Sequence, residues 1–151
     1  MSSGGLGPND AITAARFSIV IDGYQIASFS ELVGITTEVV PVDLLESTDK
    51  EVLLKKLPGQ RKPPTITMKR GKNQSMELWL WHEAVLMGDI LAARKSCSLV
   101  MYATDGTPVA RYYLEQAWPS KLEIGALKAG ASEVLMETVT LVCEHIQRVA
   151  P

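Results

Sequence analysis

Two Asp-Gly pairs set the frame of this chain. Asp-Gly favours the two-residue hairpin turn, because both central positions there need a positive φ. Asp22-Gly23 separates Arg16-Phe-Ser-Ile-Val-Ile-Asp22, where Phe17, Ile19 and Ile21 alternate with Arg16, Ser18 and Val20, from Tyr24–Phe29. Asp105-Gly106 separates Ser98–Tyr102 from Val109–Leu114. Period-two alternation around such turns predicts two antiparallel hairpins. A third strand is expected over Ile35–Val40, stopping at Pro41, and a short one over Thr65–Lys69, closed by Arg70-Gly71. Trp118-Pro119 is read as a corner, with a further short strand over Ser120–Gly125. Glu133–Ile146 is rich in β-branched residues but alternates imperfectly, which predicts either two buried faces or a bulge near Glu137.

One helix interrupts the strands. It is predicted from about Gln74 to about Leu91, with Met76, Leu80, Ala84, Met87 and Leu91 on its apolar face and Asn73 or Ser75 as cap. Trp79 and Trp81 stand two positions apart, so one is expected to meet the core and the other a loop or a partner. The expected fold class is mainly β: an antiparallel β sandwich or barrel with one flanking α-helix. Residues 1–15 are small and polar and read as a flexible arm; residues 16–151 form one domain. At 151 residues and 46% hydrophobic content the chain buries about two-thirds of its surface without metal or disulfide staples.

Composition excludes several functions. Aromatic residues are only 6%, too few for a base-stacking platform, and a net charge of −2 is not that of a general nucleic-acid binder. The N-terminus lacks the basic and apolar regions of a secretory signal, and no apolar run approaches the length of a membrane span. A soluble protein made in a reducing cytoplasm is expected, with Cys97 and Cys143 as buried free thiols. No catalytic, cofactor-binding or metal-binding residues are assigned. Gly4-Gly5-Leu6-Gly7 precedes the first strand and so is not a phosphate loop, and His82 and His145 belong to no metal-ligand pattern. Glu133, Glu137 and Glu144, with His145, form the sole candidate for a small hydrolase; the simpler reading is a wetted acidic face on one strand.

The segment 41–64 breaks the alternation with Pro41, Pro58, Gly59, Pro63 and Pro64, and is read as a long loop. Its charges are segregated. Glu38, Asp43, Glu46, Asp49 and Glu51 lie on the first side with only Lys50, whereas Lys55, Lys56, Arg61, Lys62, Lys69, Arg70 and Lys72 follow with no acid between them. Without those seven bases the chain carries eight bases against seventeen acids. Such segregation fits one copy's loop docking on another copy's acidic surface, which points to self-assembly.

These segments, in order, resemble the tail tube proteins of contractile phages and phage-like contractile injection systems. The resemblance runs from about Arg16 to about Arg148. It is carried by Phe17-Ser-Ile-Val-Ile-Asp22-Gly23, Phe29-Ser-Glu31-Leu32-Val-Gly34-Ile35, Lys56-Leu-Pro58-Gly59 with Lys62, Thr65-Ile-Thr-Met-Lys69-Arg70-Gly71, Leu78-Trp79-Leu-Trp81, Ala117-Trp118-Pro119-Ser-Lys121, Leu127-Lys128-Ala129 and Glu133-Val134 followed by Glu137 and Glu144. The chain departs from the pattern at Glu123-Ile124-Gly125-Ala126, where the family commonly has Gly-Pro. The resemblance implies a non-enzymatic inner tube subunit that forms hexameric rings stacked into a hollow tube. A sheath protein, baseplate and spike proteins, a tube cap and a protein cargo in the lumen are its implied partners, with no membrane insertion and no specific nucleic acid. It further implies assembly in a bacterial cytoplasm as part of a phage tail or a released tail-like particle. Ring stacking is expected from Glu38, Asp43, Glu46, Asp49, Glu51, Lys55, Lys56, Arg61 and Lys62, a lumen face from Glu133, Glu137 and Glu144, and outer packing from Trp79 and Trp81. A monomeric β barrel holding a small ligand or nucleic acid is the rival reading, and it predicts aromatics gathered on one sheet face.

Overall fold

The structure, a computed structural model, describes residues 11–71, 76–125, 129–130 and 134–151. Strands β1 (Arg16–Ile21) and β2 (Tyr24–Phe29) pair across Asp22 and Gly23, whose φ values of 52° and 82° are those the tight hairpin turn requires. The second predicted hairpin is also present, as β5 (Lys95–Tyr102) and β6 (Pro108–Ile124). In its turn Gly106 takes φ 87°, and the Asp105 carboxylate accepts the Thr107 N–H at 2.9 Å. That bond holds the Asp105 carboxyl below its ordinary value.

The segment read as a loop is instead the longest structure in the molecule. Strands β3 (Glu31–Ser47) and β4 (Val52–Gly71) form one continuous antiparallel hairpin. Pro41 stands opposite Pro58, so two residues that cannot donate to the ladder occupy a single step. Register shifts beside Val39–Pro41 absorb the disruption, and Gly59 permits it. A Cβ at Gly59 would collide with the Val42 side chain and the Val40 carbonyl. The hairpin closes at Thr48–Glu51, where the Thr48 hydroxyl accepts the Glu51 N–H at 3.1 Å.

Strand β6 also runs through its predicted break. Gln116, at φ 52°, turns the chain just before Trp118-Pro119 without ending it. The first half of β6 pairs with β5 and with β8 (His145–Val149), the second half with β7 (Met136–Val142). The strand thus passes from one sheet to the other. The interruption in the last apolar run falls at Cys143-Glu144, not near Glu137, because there the chain makes the same crossing. The Cys143 N–H donates to the Pro64 carbonyl at 3.1 Å and the Glu144 N–H to the Glu115 carbonyl at 2.9 Å. The result is two sheets sharing β6, β2-β1-β5-β6-β8 and β6-β7-β4-β3, around a core that includes Ile19, Phe29, Ile66, Leu99, Leu114 and Leu141.

The helix is shorter than predicted and turned the other way. Helix α1 (Glu77–Leu86) ends before Gly88, which takes φ 81°, and a single turn α2 (Ile90–Ala93) follows, capped by the Asp89 carboxylate. Leu78 and Trp81 are buried, and the Trp81 indole donates to the Ala93 carbonyl. The predicted face is the outer one: Met76, Leu80, Met87 and Leu91 are exposed. Asn73 and Ser75 lie outside the described residues, and Met76 at the helix start makes no side-chain cap. The predicted arm is docked at its end, since Ala14 packs on the core and the Ala15 N–H donates to the Tyr102 carbonyl at 2.8 Å.

Candidate assembly interface

The β3–β4 hairpin leaves the body of the protein. Every residue from 36 to 58 is exposed. Twelve residues of strand beyond Ile35 extend about 40 Å at a strand's rise per residue. The segregated charges sit on the two facing strands, so acid meets base within the chain. Lys55 pairs with Glu46 at 2.7 Å and Lys62 with Glu38 at 3.5 Å. Both pairs are about half exposed and contribute on the order of 0.5 kcal/mol each. Asp43, Asp49, Glu51, Lys56 and Arg61 form no ion pair among the described residues. Along the same hairpin Val42, Leu44, Leu45, Val52, Leu54 and Leu57 are all exposed. A hairpin with apolar side chains bare on both faces lacks the core that would hold it in isolation.

The four-stranded sheet β6-β7-β4-β3 has a dry face and a wet one. Inward stand Ile66, Met68 and Arg70 of β4 and Glu137, Val139 and Leu141 of β7, all buried. Outward, successive rows cross the sheet as Lys121, Thr140, Thr67 and Gly34, then Glu123, Thr138, Lys69 and Glu31, with Thr65 beside Thr36 and Val142. Thr67 and Thr140 hydroxyls lie 3.3 Å apart, and Lys121 sits 3.6 Å from Glu123. This face is rich in hydroxyls, and its two lysines balance its two glutamates. The period-two threonines of Thr65-Ile-Thr-Met-Lys69 and Thr138-Val-Thr140 carry its signal in the sequence. The sheet is unfinished on both sides. Among the described residues β3 pairs only with β4, and the Lys121–Ile124 stretch of β6 pairs only with β7.

The acidic residues assigned to a lumen do not share one face. Glu137 is buried at 3% exposure, with an Arg70 guanidinium nitrogen 3.1 Å from its carboxylate. Its phase is that of Val139 and Leu141, so it cannot wet a channel wall, and the partner that allows this lies on the neighbouring strand. Glu144 is exposed and pairs with Arg94 beyond the other end of β7. Glu133 lies outside the described residues. Glu137 and Glu144 stand seven positions apart along extended chain, about 23 Å, so the two carboxylates and His145 do not form a hydrolytic site. The His82 ring nitrogen lies 3.0 Å from the Pro119 carbonyl, a corner contact.

Trp81 is in the core and Trp79 is 44% exposed, which separates their roles as the spacing requires. Around α1 and α2 lie two apolar grooves. One of about 350 Å³ is lined by Val85, Ile90, Ala93 and Trp118, another of about 390 Å³ by Ile21, Ile26, Leu80 and Ala84. Cys97 and Cys143 are buried and free. Burial pushes the Cys97 thiol up to about 12 and Cys143 to about 11, with the neighbouring Cys143 adding to the shift of Cys97. Among the described residues no helix is long and apolar enough to cross a membrane. Among the described residues no three His, Cys, Asp or Glu side chains gather as a metal ion would need.

A projecting hairpin with bare apolar faces and a four-stranded sheet open at both edges define a subunit completed by other subunits. The chain belongs to the T4-like virus tail tube protein gp19 family, whose model matches residues 13–147. Its fold is also that of solved structures of low identity. It matches a chain of the extracellular contractile injection system PVC sheath–tube complex in the extended state, at TM-score 0.77 and 18% identity over 95% of both chains. It matches a chain of the anti-feeding prophage tube-terminating cap at TM-score 0.73 and 20% identity, over 97% of this chain and 95% of that one. A more distant likeness is Hcp1 from Flavobacterium johnsoniae, at TM-score 0.51 and 14% identity over 89% of this chain and 95% of that one. No curated protein sequence matches.

Proposed function

We propose that this tail tube protein is the inner tube subunit of a phage-like contractile injection particle, working by assembly and not by catalysis. The observation that carries the reading is the four-stranded sheet with two unpaired edges. An unfinished edge at β3 of one copy and at the end of β6 in the next allow head-to-tail pairing, and repetition closes a ring into one inner barrel. Six copies per ring is the number the resemblance implies. The wall of the channel is then the threonine-rich outer face of this sheet, hydrated and without net charge, in place of an acidic lumen. Such a wall holds no charged species tightly and suits passage of a folded or extended protein cargo.

Ring stacking falls to the β3–β4 hairpin, including Glu38, Asp43, Glu46, Asp49, Glu51, Lys55, Lys56, Arg61 and Lys62. Trp79, Met87 and Leu91, exposed and outside the groove beside Leu80, are the surface offered to a sheath. Baseplate, spike and cap proteins would meet the two ends of the tube. The particle is assembled in a bacterial cytoplasm and acts outside it. Negative-stain microscopy of the purified chain at low salt tests the reading: six-fold rings or hollow tubes are expected. Thr36→Pro and Leu122→Pro, which place a proline at each open edge, should abolish rings while β-sheet circular dichroism persists. Rings that survive both substitutions refute edge pairing.

A further inference from the structure

Beyond Pro41 the hairpin runs in unbroken register, so its side chains divide between two faces. One face holds Val42, Leu44, Leu53 and Leu57, 38–49% exposed, together with the Lys55–Glu46 pair. The other sets Leu45 opposite Leu54 and Ser47 opposite Val52, beside Asp43 opposite Lys56. There Leu45, Val52 and Leu54 remain 69%, 66% and 61% exposed. Neither Asp43 nor Lys56 forms an ion pair among the described residues.

The groove of about 390 Å³ beside α1 has the matching chemistry. It is apolar along Ile21, Ile26, Leu80 and Ala84, and it is also lined by Glu77 and Lys95, one acid and one base. Both charges are exposed and form no ion pair among the described residues. We propose that the Leu45–Leu54 face of one copy's hairpin seats in the α1 groove of a second copy, with Lys56 meeting Glu77. The occupant is a second copy because this chain itself supplies both halves, an apolar patch and an apolar groove each edged by one unpaired acid and one unpaired base. A docked pair leaves one hairpin and one groove open, so the contact is heterologous and propagates. The inference rests on the tube reading and names the surface that receives the hairpin.

The test uses the full chain with Leu54→Cys and Leu80→Cys together. Both positions are exposed, and the native Cys97 and Cys143 are buried. Mild oxidation of assembled protein should give a ladder of covalent dimers, trimers and longer species, whereas either single variant should not. In parallel, Lys56→Glu or Glu77→Lys alone should reduce tube yield about threefold, and the two combined should return it to within twofold of the parent. Tubes that form without the ladder, or a double reversal no better than its singles, overturn the docking and leave the tube reading standing. A ladder from a chain that makes neither rings nor tubes keeps the docking and overturns the tube.

Discussion

Removing one member of the Arg70–Glu137 pair should be the most damaging conservative change in the sheet. The two side chains are 6% and 3% exposed, with a guanidinium nitrogen 3.1 Å from the carboxylate. At that distance and an effective dielectric of about 20, their attraction is about 5 kcal/mol. Desolvation of both ions takes back several kcal/mol, so the pair itself adds little net stability, but an orphaned member keeps its own desolvation cost. Arg70 is already under-bonded, since its Nε has no hydrogen-bond partner among the described residues, and the Phe29 ring 5.7 Å from its guanidinium carbon is a weak substitute. Glu137→Gln should therefore cost about 3–5 kcal/mol, a fall of roughly 10 °C in midpoint for a domain of this size. Arg70→Met with Glu137→Leu should recover to within about 2 kcal/mol of the parent, because the buried guanidinium is removed together with the carboxylate facing it. Urea unfolding followed by tryptophan fluorescence, on all variants at one concentration, measures both numbers. A Glu137→Gln variant within about 1 kcal/mol of the parent, or a double variant worse than either single, would refute the reasoning.

Three further outcomes follow from the core and the hairpin. The Cys97 and Cys143 thiols, raised to about 12 and about 11, should resist a thiol reagent at pH 8 in the folded protein and react fully once it is denatured. Because the folded protein binds these protons more tightly than the unfolded chain, their contribution is intact below about pH 9 and is lost as pH rises toward 11–12, so urea midpoints should fall across that window. Gly59→Val places a side chain where Val42 and the Val40 carbonyl already sit, which should displace the outer hairpin and suppress tube formation while changing the thermal midpoint of the body by only a few degrees.

What the sequence disclosed divides by distance along the chain. The β1–β2 and β5–β6 hairpins were legible because Asp22-Gly23 and Asp105-Gly106 specify their turns within two residues. The β3–β4 hairpin was not, since Pro41, Pro58, Pro63 and Pro64 argue against strands locally and the pairing that overrides them is remote. Yet its signal was present: Glu38 with Lys62, Asp43 with Lys56 and Glu46 with Lys55 are partners or near-partners whose positions add to a nearly constant sum, as antiparallel register demands. Read that way, the segregation of charge first describes a hairpin, and only its unpaired members describe a docking surface. The helix failed for a different reason. Leu78, Trp79, Leu80 and Trp81 are consecutive apolar residues, so periodicity alone cannot say which of them faces inward, and the sheet beneath chooses Leu78 and Trp81. Glu137 combined both difficulties. Its phase with Val139 and Leu141 was visible, but an acid in a buried phase makes sense only once Arg70 is known to stand beside it, 67 residues earlier in the chain. A strand that alternates well except for one charged residue is thus better evidence for an unseen ion partner than for a wetted face, and the Glu137→Gln measurement decides between those two readings directly.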